Sequence, residues 1–286
     1  MQQDAQFVEF YRFIGAREGK AEGVVVYGAP LDMTTSFRPG TRMAPEAIRK
    51  HSWGLETYDL FLEQDLEQIC FYDAGDVDLS PGSLVQALEN IKHAAALIAR
   101  SGGKPLMLGG EHLATFPVIE ALYKQYPELA VIHLDAHADM RLEYMGQSLT
   151  HAGVMRKVSM LIGRQNVYSL GIRSASRDEI EYARSASQNF LPFDIKRLSD
   201  VVDSLSGRPV YLSLDIDVVD PAYAPGTGTP EPGGVSGGEL LVSLAHLKRA
   251  NLVGADVVEV CPPYDPSGIT SLLAAKIVRQ LVILMS

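Results

Sequence analysis

The chain has 286 residues, 47% of them hydrophobic and 21% charged, with a formal net charge of −10. That length buries a sizeable core in one large α/β domain or two small ones, and the composition is that of a globular protein. The acidic balance, with no run of Lys or Arg, argues against a nucleic-acid partner and suits a cationic ligand, though only weakly.

Residues 1–20 carry Asp4, Glu9 and Glu18 and no apolar core of the kind found in a secretion signal. No apolar run reaches the roughly 18 residues that span a bilayer. The expectation is a soluble, cytoplasmic protein with no membrane partner. Cys70 and Cys261 both stand in apolar, strand-like contexts and suggest neither a disulfide framework nor a thiolate metal site.

Short apolar runs predict strands at 23–28, 68–73, 104–109, 130–135, 166–171, 188–193, 209–215 and 253–260. Amphipathic stretches between them predict helices at 45–51, 81–100, 113–125, 153–163, 176–186, 238–249 and 270–285. Strand and helix in alternation mean βαβ units and a parallel sheet covered on both faces. With no linker or repeat, residues 1–286 read as one domain. In such sheets, sites form beyond the carboxyl ends of the strands.

The loop 29–45 after the first strand holds Arg38 and Arg42 and reads as a turn into a helix starting near Pro45, at the mouth of any site on that edge. At 105–112, PLMLGGEH ends a strand on Gly109 and Gly110, which lets the backbone turn sharply, and then presents Glu111 and His112. His112 is the residue expected to point inward, with Glu111 as a cap or brace. At 130–140, AVIHLDAHADM places Asp135, His137 and Asp139 at alternate positions after a buried strand. In extended backbone these share a face. His133, inside the strand, reads as a satisfied core histidine.

The second such run, SLDIDVVDP at 213–221, offers Asp215 and Asp217. A lone Asp-x-His is explained by a polar strand end. Four Asp on two strand ends that share one site repel unless a cation lies between them. Imidazole and carboxylate donors suit manganese or zinc. Six groups (His112, Asp135, His137, Asp139, Asp215 and Asp217) exceed the needs of one ion and fit two, about 3.5–4 Å apart. His151 follows before a helix and is the candidate proton carrier. A long Gly/Pro loop at 221–237 shapes a mouth. Glu259, in the strand DVVEV at 256–260, is costly to bury unpaired and should face the site as a counter-charge to a cationic substrate. His51, His93 and His246 lie on helical patterns without evident partners.

These motifs, GGEH at 109–112, DAHAD at 135–139, SLDIDVVDP at 213–221, APGTGTPEPGG at 224–234 and VEV at 258–260, resemble the ureohydrolase family of arginases, agmatinases and relatives. GAPLD, RPGTR and DAGDV extend the likeness over nearly the whole chain. The resemblance implies a three-layer α/β/α arginase-like fold with a mostly parallel eight-stranded sheet. It implies a pair of Mn2+ ions per chain and a metal-bridging hydroxide that attacks a guanidinium carbon to give urea and an amine. His112, Asp135, Asp139 and Asp215 would hold one ion and Asp135, His137, Asp215 and Asp217 the other. Asp139 would also orient the hydroxide, Glu259 bind the guanidinium and His151 relay protons. Homo-oligomers, trimeric or hexameric, are implied as well.

Arginases follow DAHAD with an Asn/Thr/Ser-rich segment for the amino-acid head group, whereas residues 140–150 here read MRLEYMGQSLT. The likeness to bacterial agmatinases therefore favours agmatine, with putrescine for polyamine synthesis as the product. Guanidinobutyrate, which Arg141 could meet, and arginine are the alternatives. A metal-dependent deacetylase would more often use one zinc and fewer carboxylates, and a structural metal site is commonly cysteine-rich.

Overall fold

The computed structural model describes residues 7–8, 11–18, 23–80, 82–185 and 189–286. Asp4 and Glu9 lie outside these, as do the side chain of Glu18, residues 81 and 186 of two predicted helices, and residue 188 of a predicted strand.

Eight strands carry the sheet: β1 (Gly23–Ala29), β2 (Phe71–Val77), β3 (Gly103–Gly109), β4 (Ala130–Leu134), β5 (Val167–Leu170), β6 (Phe190–Leu191), β7 (Pro209–Asp215) and β8 (Asn251–Val258). They stand side by side in the order β2-β1-β3-β8-β7-β4-β5-β6. Every neighbouring pair among them is parallel. Two short strands complete the β2 edge, Phe7–Val8 antiparallel and Arg17–Glu18 parallel to it.

The helices are α1 (Ala44–Ser52), α2 (Leu84–Arg100), α3 (Thr115–Tyr123), α4 (Val154–Ile162), α5 (Arg177–Arg184), α6 (Leu198–Ser204), α7 (Gly237–Leu244) and α8 (Ile269–Met285). Alternate strand residues feed two cores. Val24, Ile132 and Leu214 pack with Ile48, Val201, Leu240 and Val278 of α1, α6, α7 and α8. Val25, Val131 and Tyr211 pack with Ile91, Val118, Val158 and Ala183 of α2, α3, α4 and α5. Because both faces are covered, most of the strands are near-continuous apolar runs rather than alternating ones, as parallel sheets favour. This is the three-layer α/β/α arrangement, with all eight expected strands present.

Some boundaries moved. β2 starts at Phe71, not residue 68, and runs on to Val77. Its acids hid it. The buried guanidinium of Arg49 on α1 holds Asp73 through Nε at 2.8 Å and Nη2 at 3.0 Å, and Asp76 through Nη1 at 2.5 Å. Charges neutralised in this way can sit in a sheet. α1 begins at Ala44, which puts Pro45 in its first turn. The helix expected at 238–249 is α-helical to Leu244 and 3-10 from Ala245 to Arg249. α6 was not anticipated.

One lateral row of the sheet is polar. Ser169 pairs with His133, His133 with Ser213, and Ser213 with Asp256, across β5, β4, β7 and β8. All four are buried. Among the described residues no helix is long and apolar enough to cross a membrane.

Candidate metal centre

β3, β8, β7 and β4 are consecutive in the sheet, so their carboxyl ends open on one place. Beyond β3, Gly110 runs against the loop after β1. A Cβ there would lie 1.9 Å from the carbonyl oxygen of Leu31. The glycine is thus needed for close backbone approach, whereas a sharp turn had been expected. Next to it Glu111, fully buried, accepts from the backbone N–H groups of Met33 and Thr34 at 2.7 Å and from the Thr34 hydroxyl at 2.6 Å. It braces that loop and leaves His112 to turn inward.

The imidazole of His112 is 1% exposed, and its Nδ1 lies 3.1 Å from Asp135 Oδ2, 3.1 Å from Asp139 Oδ2 and 3.4 Å from Asp215 Oδ2. None of these contacts has hydrogen-bond geometry, so among the described residues Nδ1 is a buried nitrogen without a hydrogen-bond partner. Such a nitrogen is costly. Ligands to one divalent cation, at bonds of about 2.0–2.2 Å, stand about 3–3.5 Å apart, the spacing of this group. A second set lies alongside. His137 Nδ1 is 2.9 Å from Asp217 Oδ2 and 3.7 Å from Asp135 Oδ1. Asp135 therefore faces the first set with one oxygen and the second with the other. Asp215 Oδ1 accepts the N–H of Asp217 at 2.9 Å.

Burial pushes the carboxyls of Asp215 and Asp217 above the usual range, and Asp135 raises both further. Burial opposes ionisation of Asp135 too, yet the imidazoles around it, His133 first and then His112 and His137, hold it well below that range. The cluster is thus an acid-rich set that cannot all ionise at low cost without added positive charge. The donors fit divalent cations.

Two members stand in strained backbone: Asp139 at φ 51° and Glu259 at φ 63°. Left-handed geometry in non-glycine residues concentrates at functional sites. β8 ends at Val258, so Glu259 is the first residue beyond the strand rather than part of it. The turn aims its carboxylate at the cluster, where Oε1 accepts the His112 N–H at 2.7 Å. Burial pushes its carboxyl up to about 8; the His112 N–H pulls the other way and Glu111 adds to the rise.

A cavity of about 360 Å3 opens on this cluster, lined by His137, Asp139, Asp215, Glu259, His151, Arg141, Tyr144, Glu179 and Thr229 among others. His151 stands in its wall with Nδ1 3.3 Å from Thr34 Oγ1 and Nε2 3.4 Å from Ser36 Oγ. Thr229 comes from the Gly/Pro loop at 221–237, so that loop does shape the mouth. Of the arginines, Arg42 pairs with Asp32 at 2.5 Å and Arg38 stacks on Phe37 and Tyr264, both holding the loop after β1. Arg141 lies over Tyr144 and 3.5 Å from Glu179.

The arginase family model matches residues 22–284. The chain belongs to the arginase family. An agmatinase of Bacillus anthracis is 47% identical over 263 residues, covering 91% of each chain. An agmatinase of Bacillus subtilis (strain 168) is 45% identical over 275 residues, covering 95% of each. The solved structure of proclavaminate amidinohydrolase from Streptomyces clavuligerus superposes with a TM-score of 0.89 at 34% identity, covering 98% of each chain.

Within this arginase-family fold the structure brings together all six expected donors and both accessory residues, His151 and Glu259. Three buried groups had not been singled out for the site. His133 does sit in the core with both ring nitrogens partnered, but one partner is Asp135, at 2.7 Å, and the other Ser169, at 3.1 Å. Ser213 and Asp256 lie behind His112. Ser213 could have been noticed as the residue two before Asp215 on the same face, and Asp256 as an acid inside an apolar strand.

Proposed function

We propose that the chain is a manganese-dependent agmatinase that splits the guanidinium group of agmatine into urea and putrescine. The meeting of six His and Asp side chains from three strand ends, beside the buried Glu259, carries this reading. Identities of 47% and 45% to two Bacillus agmatinases support the substrate. We read residues 1–286 as one domain, since both cores flank one sheet.

His112, Asp135, Asp139 and Asp215 would hold one cation, and Asp135, His137, Asp215 and Asp217 the other. When bound, the pair supplies Lewis acidity and an acidified water at neutral pH. Glu259 meets the guanidinium. Its carboxyl, uncomfortable as an anion in the bare site, gains a cationic partner there, so binding energy is directed at the group that reacts. The Thr34 hydroxyl donates to Glu111, so in its contact with His151 it accepts a hydrogen bond from Nδ1–H and leaves Nε2 toward Ser36 to accept and release protons. Arg141 bears on the choice of substrate. A free guanidinium on the cavity wall would favour a guanidino acid, but Glu179 and Tyr144 already partner it.

The test is urea release from agmatine, arginine and guanidinobutyrate in parallel, with manganese-loaded and chelated protein. Manganese-dependent urea from agmatine alone is expected. Turnover of another guanidine instead would move the substrate, and no urea from any of the three would overturn the reading.

A further inference from the structure

Behind His112 a short chain of hydrogen bonds leads away from the cavity. His112 Nε2 is 2.9 Å from Ser213 Oγ. Ser213 Oγ donates to Asp256 Oδ1 at 2.9 Å. Asp256 is fully buried and also receives the Tyr211 hydroxyl at 2.6 Å, the Thr115 hydroxyl at 2.8 Å and the Leu214 N–H at 3.3 Å. Donors thus converge on it from three residues besides Ser213, which fixes Asp256 as an acceptor.

The rest follows by counting protons. Ser213 has one, and it goes to Asp256. Toward His112 the serine can then only accept, so Nε2 carries the imidazole proton. In the neutral imidazole that binds a metal, Nδ1 then keeps its lone pair, pointing at the oxygens of Asp135, Asp139 and Asp215. A metal-binding histidine is oriented in this way by the partner of its other nitrogen. The sheet supplies the alignment, because Ser213 and Asp256 are register partners on β7 and β8.

We infer that Ser213 and Asp256 are positioning residues that set the tautomer and aim of His112, and so the affinity of one of the two metal positions. The inference rests on the metal-binding role proposed above for His112. It predicts unequal consequences for the two ions, since among the described residues His137 has no hydrogen bond to Ser213 or Asp256 and faces Asp217 and Asp135 instead.

The experiment is titration of metal-free protein with Mn2+ alone, following free manganese by electron paramagnetic resonance, with the thermal midpoint of the metal-free protein recorded for each variant. Wild type should bind two ions per chain. Ser213→Ala should weaken one of the two steps about 10- to 100-fold and leave the other within about threefold. Ser213→Thr keeps the hydroxyl and should restore the lost step. Asp256→Asn keeps an oxygen for Ser213 but not the charge, and should fall between. Both steps unchanged in Ser213→Ala, or a lower thermal midpoint with unchanged manganese affinity, would reduce Ser213 to a packing residue and overturn the inference. A threonine variant as weak as the alanine one would do the same. Wild type that binds no manganese would instead sink the metal centre itself, and the positioning role with it.

Discussion

Two buried charge clusters lie on the same sheet and are built on opposite terms. At the β2 edge one arginine faces two aspartates. Arg49 grips Asp73 with two nitrogens and Asp76 with a third, and donates to the Gly75 carbonyl at 3.0 Å, while Asp73 also accepts the Phe13 N–H at 2.8 Å. Opposite charges meet within the chain. At the centre, four aspartates and two histidines crowd together, one imidazole nitrogen lacks a hydrogen-bond partner among the described residues, and two carboxyls are pushed upward. The lesson is that burial of charge does not by itself mark function. A cluster that closes on itself is architecture, and one that is short of positive charge is a receptor for it.

Substitutions can break that contrast. The largest effect is expected from Asp215→Ala, which removes an oxygen of the central cluster. Manganese content by elemental analysis should fall and agmatine turnover drop about 10⁴-fold. Retained metal and rate would put the centre elsewhere. Next comes Glu259→Gln, where turnover should fall about 10³-fold with manganese still bound, a split that separates substrate charge from metal charge. Normal kinetics would remove Glu259 from the reaction.

At the other cluster, Arg49→Met should cost about 3–5 kcal/mol of stability, because it strands two aspartates, while the folded enzyme keeps its manganese stoichiometry. Loss of metal without loss of stability would erase the distinction between the clusters. His151→Ala should slow turnover about 100-fold and leave metal content alone. An unchanged rate would make His151 a wall residue.

The smallest effect is on pH dependence. The Glu259 carboxyl, near 4.5 when unfolded, is raised to about 8 in the fold. Between those values the folded chain keeps a proton that the unfolded chain has lost, so this group's contribution to stability falls as pH rises. Metal-free Glu259→Gln should therefore lose less stability than metal-free wild type between pH 5 and pH 8. Parallel melting curves for the two across that range would contradict the assignment.

Much of this was legible in the sequence, for physical reasons. Strands buried on both faces write themselves as apolar runs, so all eight were found. Donors at alternate positions after such a run share a face, so His112, Asp135, His137, Asp139, Asp215 and Asp217 could be gathered before any coordinates. Other features were hidden because they depend on partners far along the chain. Asp76 looks like a loop residue until Arg49 neutralises it. Ser213 is one hydroxyl among leucines, and only its register with Asp256 gives it a task. The left-handed turns at Asp139 and Glu259 have no glycine to announce them. The helix α6 is seven residues long, too short for a clear period.

The sheet order carries one more consequence. β8, the last strand in the sequence, lies between β3 and β7. Until residues 251–258 have left the ribosome, the chain can form only two half-sheets, β2-β1-β3 and β7-β4-β5-β6, each with an open inner edge. Such edges invite pairing with other chains. The nascent protein therefore stays exposed to misassembly until β8 has emerged, and the strand that ends this exposure is the one that leads to Glu259.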